Sequence, residues 1–184
     1  LATNYSTTPP PVVPSIEWFD KIKMLEFESE REVEYDFVMS LLKKLGYEHE
    51  DIAIGYPVKM FEGVRQTTKQ ADVVLFNGAS RNIDDVLLVV EAKDSKKGIT
   101  VDHIGQAKSY AQALLPACYV VTNGHQIIVF QFNGMIYQDE RVMDFDRSML
   151  DVMWGKLYNY ISKEATIQRK IERAKWSHNQ SQDT

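Results

Sequence analysis

The sequence predicts an α/β domain in which a mixed central β-sheet is flanked by α-helices. Three observations point there. Short runs rich in β-branched residues, "QADVVLFN", "VLLVVEAK", "ACYVV" and "QIIVFQF", have strand length and end in turn residues. Longer stretches around them space their apolar residues three and four apart, as helices do. The two kinds follow in the order α-β-β-β-α-β-β-α, which suits helices laid on a sheet. No repeat and no second domain is visible.

The elements follow along the chain. Residues 1–14 are polar and proline-rich, so they read as a flexible arm, with 1–27 as arm and lead-in. From Glu28, Val33, Phe37, Val38, Leu41, Leu42 and Leu45 share one helical face, and Gly46 supplies the stop. "DIAIGYPVKMF" is a short strand region with a Gly-Tyr-Pro irregularity, and two further strands are joined by the polar turn "NGASRNIDD". Thr100 or Asp102 caps a helix running through Leu115, before Pro116. Two strands follow, then a turn and edge strand in "NGMIYQDE". A last helix runs from about Ser148 to Trp176, with Leu150, Trp154, Leu157 and Ile161 as its core stripe. The domain thus spans 28–176, and 177–184 read as a frayed tail.

Composition bounds the function. The chain of 184 residues is large enough for one domain with a real core, and 44% hydrophobic with 26% charged residues reads as a soluble globule. No apolar run approaches the ~20 residues of a membrane span. The opening "LATNYSTTPPPVVP" has neither the basic start nor the apolar core of a signal peptide. The chain opens without an initiator Met, as is expected of a fragment or processed form. A lone Cys118 excludes an internal disulfide and points to a reducing, cytoplasmic setting. The net charge of −5 argues against a surface that is wholly a nucleic-acid footprint, while leaving room for a local basic groove. Two basic clusters, Lys93, Lys96 and Lys97, and Arg169, Lys170, Arg173 and Lys175, read as solvated faces.

One feature resists a purely structural reading. The apolar strand Val86–Val90 runs straight into Glu91-Ala92-Lys93, and charges at a strand end cost free energy unless paired or bound. A hairpin centred near Arg81 sets Asp72 across from Glu91. Alternation sends Glu91 and Lys93 to the same side, so Asp72, Glu91 and Lys93 converge at one end of the sheet. Two carboxylates this close repel unless something positive lies between them. A hard divalent cation with oxygen ligands, such as Mg²⁺, fits that need, with the lysine beside it to orient a water or stabilise charge on a phosphate. Gln106 and Tyr110 share a face of the next helix, and Glu30 and Glu34 share a face of the first.

Asp72, Glu91-x-Lys93 and Gln106-x-x-x-Tyr110 together resemble the PD-(D/E)xK nuclease superfamily. More narrowly, Ser29 to Phe132 is similar to the N-terminal nuclease domain of type I restriction enzyme R subunits, including the Thr122-Asn123-Gly124 turn. The resemblance implies a restriction-endonuclease-like core and Mg²⁺-dependent hydrolysis of DNA, with Mn²⁺ as a substitute. It implies Asp72 and Glu91 as metal ligands, Lys93 as the catalytic lysine, Gln106 and Tyr110 as the supporting pair, and an acid of helix one as a further metal ligand, a place that Glu30 matches better than Glu34. It also implies weak, non-specific DNA binding by this chain alone, with other restriction-modification subunits and an ATP-driven motor as partners.

Two departures stand out. Ala71, not proline, precedes Asp72, and Gly155-Lys156 lacks the pattern of a phosphate-binding loop. The alternative function is a catalytically silent DNA-binding or docking module of a restriction complex. Asp94-Ser95-Lys96 offers a competing acid-x-Lys, but only Glu91-Lys93 ends the apolar strand in register with Asp72. Bland readings are a strand-end ion pair for Glu91 and Lys93, a dipole-favoured acid for Glu30 and core packing for Tyr110. The histidines at 49, 103, 125 and 178 show no ligand spacing.

Overall fold

Six strands pair in sequence order: β1 (Ile52–Glu62), β2 (Arg65–Phe76), β3 (Val86–Ala92), β4 (Cys118–Thr122), β5 (Gln126–Gln131) and β6 (Glu140–Asp146). The structure is a computed structural model that describes residues 11–134 and 138–182. Only β3 and β4 run parallel; the other neighbours are antiparallel, so the sheet is mixed. A parallel pair needs a crossover, and α4 (Val101–Leu114) supplies it. Thr100 caps α4 through its hydroxyl, and His103 returns the bond to the Thr100 N–H.

Helices cover both faces, which makes the expected α/β architecture the observed one. Ala107, Tyr110, Ala111 and Leu114 of α4 pack with Val74, Val89, Val121 and Ile128 on one face. On the other face lie α1 (Ile16–Lys23), α2 (Glu30–Glu32), a π-helical segment (Val33–Val38), α3 (Met39–Lys44) and α5 (Leu150–Ile161), against Val73, Leu88, Val90 and Val120. Every residue of β3 is buried, as its unbroken apolar run requires when both faces are covered.

Four expectations need correction. The lead-in is not featureless: Ser15 caps α1, Phe19 and Ile22 are buried, and Trp18 and Phe19 pack edge-on against Trp154. The proline run before it hid this short apolar stripe. The last helix is two. Backbone at Ser162 turns extended, the Ser162 hydroxyl accepts from Ala165 N–H, and α6 (Lys163–Gln182) continues past Trp176 into the expected tail. The edge strand lies later than "NGMIYQDE", at β6; Met135 to Tyr137 fall outside the described residues. Finally, β2 begins at Arg65, ahead of the expected "QADVVLFN", and pairs there only with β1, which matches the expected "DIAIGYPVKMF".

The C-terminal basic cluster is not a solvated face. Arg173 donates to the carbonyls of Leu115, Pro116 and Phe132, and Lys170 to those of Asp84 and Val86 at 2.9 and 2.8 Å. Burial pushes the Lys170 ammonium down to about 8. These cations tie α6 to loop carbonyls that would otherwise lie unsatisfied. Asp51 forms another tie. It accepts from the N–H of Glu48 and Gly78 and from the Lys163 ammonium, joining three segments at one buried carboxylate.

Candidate active site

The β2–β3 hairpin pairs Val73 with Val90, so one step further Asp72 reaches the end of β3 beside Glu91. Asp72 Oδ2 accepts the Ala92 N–H at 2.8 Å, which fixes the carboxylate against the strand end. Lys93 Nζ lies 2.8 Å from Glu91 Oε1 and 3.9 Å from Asp72 Oδ2. Glu91 is 1% exposed and Lys93 8%, so this is a buried cluster rather than a surface ion pair. The other Glu91 oxygen, Oε2, is buried without a hydrogen-bond partner.

Glu30 and Glu34 arrive from the opposite side. Ser29 caps α2 by accepting the Glu32 N–H. The helix then widens into the π-helical segment, where Met39 N–H bonds back to the Glu34 carbonyl. Such widened turns frequently occur at functional sites. Glu30, Glu34 and Asp72 each offer an oxygen, all within 4.8 Å of one another. Both helix-one acids therefore approach Asp72, where the sequence resemblance favoured Glu30.

The charges are set by this crowding. Burial, then the charge of Asp72, lifts Glu91 to about 7, despite the Lys93 hydrogen bond. Burial raises Asp72 as well, against the pull of Lys93. Glu34 is raised by burial and by Asp72 and Glu30. For Lys93, burial alone would lower the value, but Glu91 and Asp72 outweigh it and the ammonium is held above its ordinary range. The oxygens of Glu30, Glu34 and Asp72 form an all-oxygen group of the kind that suits a hard divalent cation, and Glu91 stands beside it next to Asp72.

Gln106 and Tyr110 stand one behind the other on α4. The amide of Gln106 donates to the Tyr110 hydroxyl at 3.2 Å, which donates to the Gln70 carbonyl at 2.9 Å. Tyr110 is buried, and its hydroxyl braces β2 two residues before Asp72. Among the described residues, neither side chain hydrogen-bonds to Lys93 or the acids. The competing Asp94-Ser95-Lys96 forms a turn whose lysine is exposed: Asp94 accepts the Lys96 N–H, and Lys96 pairs with exposed Glu28.

Sequence reasoning missed the supports behind Lys93. Its N–H donates to the Thr122 carbonyl at 2.8 Å. Asn123 donates to the Lys97 carbonyl and accepts from His125 and Gln126, while the Ser95 hydroxyl bonds the Phe27 carbonyl. Gly124 has φ of +84°, and a Cβ there would stand 2.5 Å from the Phe27 ring. Thr122-Asn123-Gly124 was visible as a motif, but not as the clamp on the loop after Lys93.

Comparison with known proteins places these residues in context. Residues 29–144, well over half of the chain, match the family model described as type I restriction enzyme R protein N terminus (HSDR_N). A comparison with curated proteins finds no match. One solved structure, described as a fragment of an HsdR subunit of a type I restriction enzyme from Vibrio vulnificus YJ016, is similar at 24% identity with a TM-score of 0.46. The match covers 69% of this chain and 26% of that one, so this chain spans about a quarter of its length. No helix among the described residues is long and apolar enough to cross a membrane. The extent of the family match makes the chain a member of the type I restriction enzyme R protein N-terminal family.

Proposed function

We propose that this domain is a Mg²⁺-dependent endonuclease centre that hydrolyses phosphodiester bonds of DNA within a restriction complex. The observation that carries the reading is the buried, unpartnered Oε2 of Glu91 beside Asp72 and Lys93. A strand-end ion pair needs no such orphan, which costs about 1–3 kcal/mol to keep. Asp72, Glu91, Glu30 and Glu34 are the residues that would hold the ion. Bound there, a divalent cation supplies charge neutralisation and activation of water.

The chain's own residues do the rest. Lys93 stays protonated at neutral pH, so it acts as a donor to charge developing on the phosphate rather than as a base. Glu91 holds its ammonium in place, and the Thr122 carbonyl fixes the backbone beneath it. Gln106 and Tyr110 act as positioning residues through β2. The nuclease unit extends the expected 28–176 to include α1 and the later turns of α6. Its partners are DNA, bound weakly and without sequence preference, and the other subunits and ATP-driven motor of such a complex, in the cytoplasm.

Nicking of supercoiled plasmid by this chain, in Mg²⁺ and in EDTA, tests the proposal. Nicking in Mg²⁺ alone, abolished by Asp72→Asn, is the expected result. Mg²⁺ binding without any nicking would favour the silent docking module instead.

A further inference from the structure

The outer halves of β1 and β2 project beyond the sheet. β2 pairs with β3 only over Val73–Phe76, whereas it pairs with β1 from Arg65 onward. Arg65 lies seven positions before Asp72, so at ~3.3 Å per residue the ribbon reaches roughly 23 Å past the candidate site. A two-stranded ribbon is marginal alone. Here Val58 and Met60 anchor one side with the α4 cluster. The opposite side carries Lys59 and Phe61 with their cross-strand partners Thr68 and Gln66, all exposed. Phe61 is 74% exposed, an unusual position for a large aromatic ring.

Charge separates this ribbon from the rest of the molecule. The chain carries −5 overall, yet residues 57–70 hold Lys59, Arg65 and Lys69 against a single acid, Glu62. Along β2, alternate positions Gln66, Thr68 and Gln70 lead to Asp72 itself. By register Lys59, Phe61, Gln66 and Thr68 share one face of the ribbon and Arg65 and Lys69 the other, so cations flank both faces of a ribbon that leads into carboxylates that would repel a polyanion. A two-stranded ribbon also has the width to enter a DNA major groove.

Resting on the nuclease reading, we propose that the β1–β2 ribbon is the surface that holds double-stranded DNA. It lies along the duplex up to about seven base pairs from the phosphate at Asp72, taking ~3.4 Å per base pair. With the ribbon in the groove, Lys59 from one face and Arg65 from the other, beside the turn, contact phosphates, while Gln66 and Thr68 add hydrogen bonds and Phe61 lies against the sugars on the Lys59 face. Such contacts position the duplex without reading its sequence.

The test is anisotropy of a fluorescent 30-base-pair duplex in Ca²⁺ across a salt series, with the parent chain and the double variant Lys59→Ala, Arg65→Ala. Both side chains are exposed, so the fold and the Mg²⁺-induced rise in melting temperature remain as in the parent. The double variant should bind about tenfold more weakly on every sequence, with the salt slope reduced by roughly 1–2. If the parent binds and nicks DNA but the double variant binds equally well with the same slope, the ribbon is not a DNA contact and is left to a protein partner. If the parent neither binds nor nicks the duplex, the nuclease reading itself falls, and the ribbon's role with it.

Discussion

The ammonium of Lys93 satisfies one oxygen of Glu91 at 2.8 Å and leaves the other buried without a partner. Burial first, and then the charge of Asp72 alongside, is why Glu91 holds its proton up to about 7 rather than its ordinary 4.5. Between those two values the metal-free folded state binds more protons than the unfolded chain, so stability falls as pH rises across the window. Asp72 and Glu34, both raised, act in the same direction. Urea denaturation from pH 4.5 to about 8 should show the decline, and Glu91→Gln should flatten it. An unchanged slope in the variant would assign the decline to other groups.

Mg²⁺ or Mn²⁺ should offset this repulsion and raise the melting temperature. A ligand at 100 times its dissociation constant stabilises by about 2.7 kcal/mol through mass action. Asp72→Asn should abolish the gain, as Asp72 stands in both the Glu30–Glu34 group and the Lys93 cluster. A variant that responds to Mg²⁺ as the parent does would move the metal site elsewhere.

The Asp51 carboxylate is a purely structural counterpart. Asp51→Ala leaves two N–H groups and Lys163 without their acceptor, so a loss of about 3 kcal/mol is expected. Lys163→Ala should cost less, about 1–2 kcal/mol, because the backbone donors remain to hold Asp51. Denaturant titration of both variants checks the order. Equal losses would mean that the ion pair, and not the backbone capping, dominates.

Gly124→Ala tests the clamp on the loop after Lys93. The left-handed backbone alone costs an L-residue about 1–2 kcal/mol, and the Phe27 ring must also move. The expected result is a loss of at least that size, together with weaker Mg²⁺ stabilisation as the loop bearing Ser95 and Lys97 loosens. Full stability and unchanged metal response would show that the turn tolerates the change.

How much of this was legible depends on where the signal lay. The unbroken run of β3 and the position of its turn sufficed to bring Asp72 to Glu91, because register follows from turn and pleat. Glu30 and Glu34 were visible as a pair, but not the π-helical segment that carries Glu34 toward Asp72, which leaves no mark in apolar spacing. The outer half of β2 was missed because Arg65 to Gln70 is polar on both faces, and strand periodicity appears only where one face is buried. Arg173 and Lys170 looked like solvent-exposed charge because their partners are backbone carbonyls far along the chain. Ser162 could break the last helix unnoticed, since Ile161 keeps the apolar rhythm up to the break.

Comparison of Lys93→Ala and Lys96→Ala in the Mg²⁺-dependent nicking assay separates a lysine that acts in cleavage from one that only pairs at the surface. Both lysines follow an acid by two residues, but Lys93 is buried against Glu91 and Asp72, while Lys96 pairs with exposed Glu28. A preorganised donor at developing charge is typically worth about two to three powers of ten in rate. Lys93→Ala should lose cleavage on that scale while remaining folded, and Lys96→Ala should cleave nearly as the parent does. Equal damage from both variants, or none from either, would contradict the account.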